Sequence, residues 1–335
     1  MQVFTYSSYL ENENAYTIVD VRSPAEYEHA HIPGAINFPL LNNEERAIVG
    51  TCYKQQGHKP AVIKGFELVG GKFADYIKAF DALKIKGEVI IHCWRGGLRS
   101  NIMSWLLEKA GYKTQVLKGG YKLYRSWVLQ QVNVQLPLTV IGGMTGSNKT
   151  GILHQLEKNN EAIIDLEGLA NHRGSTFGGL GLGAQPSQEM FENKLALQCF
   201  KIKDAKRVWI ENESRLVGLC VVPQVMFDTM RNATVVEIQV DFETRLKNIL
   251  KVYGSFDKKL LVEKTMQIEK RLGNLSMRNA IAFLLENDYH NWANILLVHY
   301  DKNYQHSTSK KLKPHHTIQY LNDFDCIQQL IQFSL

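Results

Sequence analysis

The stretch that decides the fold of the first half of the chain is HCWRGGLRS, residues 92–100. It follows residues 88–91, a short apolar and β-branched run that predicts a buried strand. It precedes residues 101–110, where apolar side chains recur at helical spacing before a stop at Gly111. The sequence therefore predicts a strand, a tight loop and a helix, with a cysteine at the start of the loop.

The composition of this loop is typical of a site that binds an anion and stabilises a thiolate. Gly96 and Gly97 allow successive backbone N–H groups to point inward around an anion. Arg95 and Arg99 add positive charge, and the helix start adds positive potential, so we expect the pKa of Cys93 to be lowered. The alternative is a buried structural cysteine, which would not require two arginines and a Gly-Gly pair.

Two motifs upstream of the loop predict a small α/β domain with a parallel sheet. The first, DVRSPAEY at residues 20–27, ends a strand and begins a helix with proline in its first position. The second, HIPGA at residues 31–35, is a turn that leads back into a strand. Strand and helix patterns alternate as far as residue 130, with one helix predicted over residues 65–83.

The three motifs together resemble a rhodanese (sulfurtransferase) domain, in which the loop cysteine carries sulfur as a persulfide. The Cys93 loop alone also fits the Cys-x5-Arg pattern of the cysteine phosphatases, in which the cysteine attacks a bound phosphate. Because the two families share the same loop physics, it is the upstream pair of motifs that favours the rhodanese domain.

A second phosphate-binding pattern begins the other half of the chain. Residues 131–137 are interpreted as a linker, residues 138–141 predict a strand, and GMTGSNKT follows at residues 143–150. This is the P-loop pattern G-x-x-x-x-G-K-[ST] with one departure, since Asn148 stands where the second glycine is expected. We therefore predict a P-loop NTPase-like α/β domain over residues 138–335, following a rhodanese-like domain over residues 1–130.

The candidate phosphate ligands of this loop are the backbone at Gly143 and Gly146, the Lys149 ammonium and, through Mg²⁺, the Thr150 hydroxyl. Asparagine tolerates a left-handed backbone well, so the loop can form with Asn148. Its side chain is nevertheless expected to crowd the phosphates, which weakens the case for nucleotide hydrolysis. A glycine-rich turn without a ligand is the alternative.

Charged residues near the ends of later strands extend the candidate site. Asp165 follows an apolar strand, where an acid that orients Mg²⁺ would stand. Glu211, Glu213 and Arg215 form an acid–base cluster at the end of another strand. Each of these could equally be a solvated strand exit.

A long glycine-rich loop lies between those two strands. His172 and Arg173 stand at its root, and glycines recur through it before QPSQ at residues 185–188. Loops of this length without regular structure are usually functional or disordered, so we expect a mobile substrate or phosphate loop.

From about residue 241 the pattern is mostly helical and partly basic, so the second domain is predicted to end in a helical region. Five aromatic residues there are candidates for base stacking, although aromatics at helical spacing are more often core: Tyr253, Tyr289, Trp292, Tyr300 and Tyr304. The sequence YDKNY at residues 300–304 has the character of a motif.

The composition excludes several classes of protein. The chain has 335 residues, 44% of them hydrophobic and 21% charged, and no apolar run reaches the roughly 20 residues of a membrane span. Its five scattered cysteines form no C-x-x-C pair, which favours a reducing cytoplasm over a disulfide framework or a structural zinc site. The first residues show no signal peptide. A net charge of +6 mildly favours an anionic partner.

The order of the two domains, together with LEGLANHRGS at 166–175, QPSQ at 185–188 and ENESR at 211–215, resembles the tRNA 2-selenouridine synthase family. The resemblance covers nearly the whole chain, with departures at Asn148 and at Asn212, where the family usually has an acid. It implies that the wobble 2-thiouridine of a tRNA anticodon stem-loop is S-geranylated from geranyl diphosphate and then converted to 2-selenouridine with selenophosphate.

In that scheme Cys93 attacks selenophosphate and carries selenium as an S-selanyl adduct, while Arg95, Arg99 and the loop amides bind the phosphate end. The P-loop then more plausibly binds geranyl diphosphate than a nucleotide, which also makes Asn148 easier to accommodate. An enzyme that supplies selenophosphate would be a partner. Two other classes stay open: an ATP-dependent tRNA sulfurtransferase, and a cysteine phosphatase joined to a kinase-like domain.

Overall fold

The computed structural model describes residues 5–11, 13–308 and 315–333. Residues 1–4, which are part of the prediction that no signal peptide is present, lie outside this description. The chain forms two compact units, residues 1–130 with 192–194, and residues 131–191 with 195–335. Each unit is an α/β structure built on its own parallel sheet.

The first unit contains a four-stranded parallel sheet in the order β2-β1-β3-β4. Its strands are β1 (Tyr16–Asp20), β2 (Ile36–Asn37), β3 (Glu88–His92) and β4 (Thr114–Val116). Its helices are α1 (Tyr6–Glu11), α2 (Pro24–His29), α3 (Asn43–Gln56), α4 (His58–Val69), α5 (Phe73–Ala82), α6 (Leu98–Lys109) and α7 (Gly120–Gln131). Strand β3, which leads into the Cys93 loop, is central and buried along nearly its whole length.

One helix prediction in this unit is wrong. Residues 65–83 do not form a single helix, because α4 ends at Val69 and α5 begins at Phe73. A 3₁₀ turn over Gly70–Lys72 separates them. Glycine has the lowest helix propensity of all residues except proline, and the adjacent pair Gly70-Gly71 interrupts the helix here.

The second unit contains a five-stranded parallel sheet in the order β11-β10-β5-β7-β6, with a small separate β8-β9 hairpin. Its strands are β5 (Leu138–Gly142), β6 (Ala162–Ile164), β7 (Val208–Glu211), β8 (Leu216–Val217), β9 (Cys220–Val221), β10 (Thr234–Gln239) and β11 (His315–Gln319). Its helices are α8 (Lys149–Lys158), α9 (Leu166–Ala170), α10 (Gln188–Lys201), α11 (Gln224–Asn232), α12 (Phe242–Tyr253), α13 (Lys258–Gln267), α14 (Glu269–Leu272), α15 (Asn274–Leu285), α16 (Tyr289–Thr308) and α17 (Asp323–Gln332).

The C-terminal region is mostly helical, as predicted for residues 241 onward, and it also contributes one strand. Strand β11 returns to the sheet and pairs in parallel with β10. Ile318 is buried in the core that α8 and α17 form against the sheet, so the strand is held by packing as well as by its hydrogen bonds. The P-loop strand β5 is consequently central, with β10 and β7 as its neighbours.

The aromatic residues of the helical region belong mainly to a core. Trp292 is fully buried and Tyr253 nearly so, in a cluster that α12, α13, α15 and α16 share. Because both rings are buried in this core, they are not available to stack on bases, and they are core residues, as aromatic residues at helical spacing usually are.

Candidate active sites

Cys93 directly follows the carboxyl end of β3, and a bend over residues 94–97 leads into α6 at Leu98. Its side chain is largely buried, with Sγ 3.3 Å from the Ser100 hydroxyl and accepting a hydrogen bond of 3.3 Å from the Gly97 amide. Burial raises the pKa of the Cys93 thiol, but the Ser100 hydrogen bond and the Arg99 charge lower it. The net pKa lies below the ordinary value, as expected for a loop that stabilises a thiolate.

The two arginines of the loop contribute in different ways. Arg99 acts on the thiol through its charge, and its Nη1 donates a 2.7 Å hydrogen bond to the Glu26 carboxylate. The Arg95 side chain is exposed, and this residue lowers the pKa of Cys93 through its backbone amide. Glu26, which holds Arg99 in place, was not predicted as a site residue, although its position in the first turn of α2 could have drawn attention to it.

The two upstream motifs form the scaffold behind the loop. Asp20 accepts two close hydrogen bonds from the Arg22 guanidinium, which also stacks over the Tyr121 ring at 3.9 Å. The Tyr27 hydroxyl donates to the Ala35 carbonyl at 2.6 Å and joins the two motifs. These contacts explain why the motifs occur together: they fix the elements that carry the Cys93 loop.

A glycine at the start of α7 closes the loop from behind. Gly120 has φ +56°, and a Cβ on it would overlap the Cys93 carbonyl oxygen and the Gly96 amide. The Tyr121 amide donates to that same carbonyl at 2.9 Å. Local sequence gives no sign of this close approach, because Gly120 lies 27 residues beyond Cys93 in the chain.

Gly120→Ala should therefore unfold more easily and disturb the Cys93 loop. We expect a loss of about 2 kcal/mol or more in the free energy of unfolding, because both the backbone angle and the contact oppose a side chain. Urea denaturation measures it. The matched control is Gly65→Ala in α4, where nothing lies within 4 Å of the new carbon. Equal stability of the two variants would contradict the close approach.

The pKa of Cys93 should rise when Ser100 is replaced by alanine. The hydroxyl is the largest of the interactions that favour the thiolate, so its loss should move the alkylation profile of Cys93 to higher pH. Peptide mass spectrometry after iodoacetamide treatment at several pH values reports Cys93 separately from the other cysteines. Ser104→Ala, on the same helix and bonded to Thr114, is the control that should leave the profile in place. An unchanged profile in Ser100→Ala would remove the hydroxyl from this role.

The P-loop forms in spite of Asn148. This residue adopts the left-handed conformation, with φ 57° and ψ 36°, immediately before α8 begins. Its side chain lies against Gly151 in the first turn of α8, in the space that a Cβ on Gly151 would occupy. Lys149 donates to the Gly143 carbonyl at 3.2 Å, across the loop. The crowding expected from Asn148 is thus directed toward the helix rather than across the loop.

A cluster of acids lies next to Lys149 and Thr150. The Thr150 hydroxyl donates a hydrogen bond to Glu167 at 2.9 Å. Gly174 packs against the carboxylates of Glu167 and Glu213, and a Cβ at position 174 would collide with Glu213. Burial, with the charge of Glu213, raises the pKa of Glu167 to about 7, so this carboxyl can exchange a proton near neutral pH. Glu167 was missed as a site residue because it stands inside α9 rather than at a strand end.

The remaining predicted acids occupy distinct positions. Burial raises the pKa of Glu213. Burial also raises the pKa of Glu211, and the negative charges of Asp165 and Glu167 raise it further, well above its usual range. Glu211 accepts a hydrogen bond from the Leu166 amide at 2.9 Å. Asp165 caps α9 through the Gly168 amide and also contacts His154. No group of three or more acids, histidines or cysteines in the described part of the chain is arranged to hold a metal ion.

Two apolar side chains of the glycine-rich loop are packed in a core, and the mobility of the loop stays a prediction. Phe177 and Leu180 are buried in the core of the helical region. The Arg173 guanidinium donates to the Leu180 carbonyl at 2.8 Å, so this residue braces the loop. His172 is half-buried, and burial lowers its pKa. Arg215 is exposed beyond the end of β7.

Comparison with known proteins identifies both units. A family model for the tRNA 2-selenouridine synthase AAA domain matches residues 136–332, and one for the rhodanese-like domain matches residues 6–126. The chain therefore combines a rhodanese-like domain with a P-loop-like AAA domain. Among the helices that the structure describes, none is long and apolar enough to cross a membrane.

Relatives that match most of the chain carry the same family name. A tRNA 2-selenouridine synthase of Pseudomonas putida (strain GB-1) is 38% identical over 76% of this chain and 75% of its own length. One of Shewanella pealeana is 34% identical over 89% of this chain and 90% of its own. A solved N-terminal domain from Clostridium difficile 630 shares 40% identity over 38% of this chain and 99% of that domain, with a TM-score of 0.36. The chain belongs to the tRNA 2-selenouridine synthase family.

Proposed function

We propose that this protein is a tRNA-modifying transferase that replaces the sulfur of a wobble 2-thiouridine by selenium. The observation that carries the proposal is the presence of a low-pKa cysteine loop and a P-loop on one chain of this family. The relatives' names supply the substrate class, a tRNA. The net charge of +6 is compatible with an anionic macromolecular substrate.

The P-loop binds geranyl diphosphate in the first step. The sulfur of the base attacks carbon 1 of the geranyl group, the carbon–oxygen bond breaks, and diphosphate leaves with the electron pair. Lys149 and the amides of the loop stabilise the charge that develops on the diphosphate. Mg²⁺ would be held by the Thr150 hydroxyl and the phosphates, because Mg²⁺ usually keeps several of its waters and takes few ligands from the protein.

S-alkylation of the base also releases its N3 proton. Glu167 is suited to accept it, because its pKa of about 7 leaves a substantial carboxylate fraction near neutral pH. Glu213 keeps that pKa raised, while Thr150 donates to the carboxylate and orients it. Glu167 therefore joins Lys149 among the residues of the first step.

The Cys93 loop serves the second step, with selenophosphate as donor. Overall, a carbon–selenium bond forms at carbon 2 of the base, the carbon–sulfur bond breaks, and geranyl thiolate leaves with the electron pair. A water molecule supplies the oxygen that bonds to phosphorus, so phosphate is released and the exchange is redox-neutral. The Cys93 thiolate is the nucleophile that first takes the phosphoryl group from selenium: a sulfur–phosphorus bond forms, the phosphorus–selenium bond breaks with its electron pair left on selenium, and water then hydrolyses the thiophosphate to phosphate and free thiol. Arg95, Arg99, Gly96 and Gly97 bind the phosphate end. An enzyme that makes selenophosphate would supply this loop.

One assay tests the whole proposal. The purified chain is incubated with 2-thiouridine tRNA and geranyl diphosphate, then with selenophosphate, and the wobble nucleoside is weighed by mass spectrometry. We expect a geranyl adduct first and a selenium-for-sulfur exchange second. If neither mass change appears with tRNA that a characterised relative modifies, the proposal fails. Sulfur gain that requires ATP would instead identify a sulfurtransferase.

A further inference from the structure

Side chains of helix α12 donate hydrogen bonds to two backbone carbonyl groups of the P-loop. The Arg245 guanidinium donates to the Thr145 carbonyl at 3.2 Å, and the Asn248 amide donates to the Gly146 carbonyl at 2.9 Å. Gly146 has φ +84° and rests directly on the α12 backbone, where a Cβ would lie 2.7 Å from the Arg245 carbonyl oxygen. The loop is therefore seated on a helix that begins about 100 residues later in the sequence.

Helix α16 holds Arg245 and the start of the loop. Asp301 forms two hydrogen bonds of 2.8 Å with the Arg245 guanidinium, in a parallel bidentate pair. One turn further, the Tyr304 hydroxyl accepts a hydrogen bond from the Gly143 amide at 3.0 Å and donates to Glu237 at 2.8 Å. The YDKNY motif thus places two side chains of one helix against the P-loop system.

These contacts fix the direction of the loop amides. In a trans peptide the carbonyl and the next N–H point in opposite directions. Since Arg245 and Asn248 draw the carbonyls of Thr145 and Gly146 toward α12, the following N–H groups point away from it. The Ser147 N–H closes a turn onto the Met144 carbonyl, which leaves Gly146 as the amide whose orientation matters most.

We infer that Asn248 and the Arg245–Asp301 pair are positioning residues, which present the Gly146 amide to the diphosphate of the substrate. This inference rests on the proposed function, because it takes the P-loop to bind a diphosphate. Pre-oriented amides bind an anion without a cost of reorganisation, so the affinity depends on side chains that never touch the ligand. Arginine is needed at 245 because its planar guanidinium serves Asp301 and the Thr145 carbonyl together.

Asn248 provides the sharpest test, because it is half-buried and a variant there should fold. Inorganic pyrophosphate is titrated calorimetrically into the full-length chain as a probe. Asn248→Ala should weaken its binding by about 3- to 10-fold, the effect of one hydrogen bond. Asn248→Asp, which has the same shape but cannot donate to Gly146, should weaken it at least as much. Lys247→Ala, exposed on the same helix, is the control that should bind normally.

A kinetic readout separates positioning from a loss of stability. The KM for geranyl diphosphate should rise in Asn248→Ala by the same factor, while selenium transfer to tRNA geranylated in advance keeps its rate. Wild-type binding of pyrophosphate by both Asn248 variants would overturn the inference and leave the proposed function standing. Failure of the wild-type chain to bind either pyrophosphate or geranyl diphosphate would overturn the proposed role of the P-loop, and the inference with it.

Discussion

Replacing Cys93 by alanine should abolish selenium incorporation and leave geranylation intact. The thiol is the nucleophile in a loop whose other groups lower its pKa, so its removal should slow selenation by about 10³-fold or more. Geranylation uses the P-loop, in a separate unit of the chain, and should proceed at the wild-type rate. Mass spectrometry of the wobble nucleoside follows both steps in one reaction.

The control for this experiment is Cys52→Ala, since Cys52 lies in α3 and outside the loop. Selenation by Cys93→Ala at the control rate would remove Cys93 from the mechanism. Loss of both steps in a folded variant would refute the division of the two reactions between two loops.

Replacing Lys149 by alanine should have the opposite effect. Geranylation should fall by about 100-fold or more, because Lys149 is the cation of the loop that would neutralise the leaving diphosphate. The same variant should transfer selenium normally when it receives tRNA that already carries the geranyl group. The two variants together would then complement each other on the single substrate.

Lys158→Ala, exposed in the last turn of the same helix, provides the matched control. It tests whether a positive charge anywhere on α8 is sufficient. Normal geranylation by Lys149→Ala would contradict the assignment of this step to the P-loop. A defect with pre-geranylated tRNA would instead indicate that the P-loop takes part in selenium transfer.

Local sequence predicted the two loops well because each loop is contiguous. The Cys93 loop and the P-loop each lie between a strand and a helix, and their glycines and charged residues stand within nine residues. Asparagine tolerates the left-handed backbone conformation, and Asn148 adopts that conformation in the structure.

The residues that support the loops were not predictable in the same way. Glu26 is 73 residues from Arg99, and Tyr304 is 161 residues from Gly143, so no local spacing indicates that they meet. The composition of the glycine-rich loop predicts a segment without regular structure, but it does not indicate that Phe177 and Leu180 pack in the core of the helical region. Long-range packing decided these cases, and periodicity carries no information about it.

The pairing of Asn148 with Gly151 has a consequence for how this loop can change. Alanine at 151 would favour the helix by roughly 1 kcal/mol in isolation, but it would collide with the Asn148 side chain. The benefit becomes accessible only after Asn148 gives way to a smaller residue. The two positions are therefore epistatic: replacing Asn148 first is open, whereas replacing Gly151 first passes through a weakened intermediate, so position 151 must remain glycine for as long as Asn148 is present.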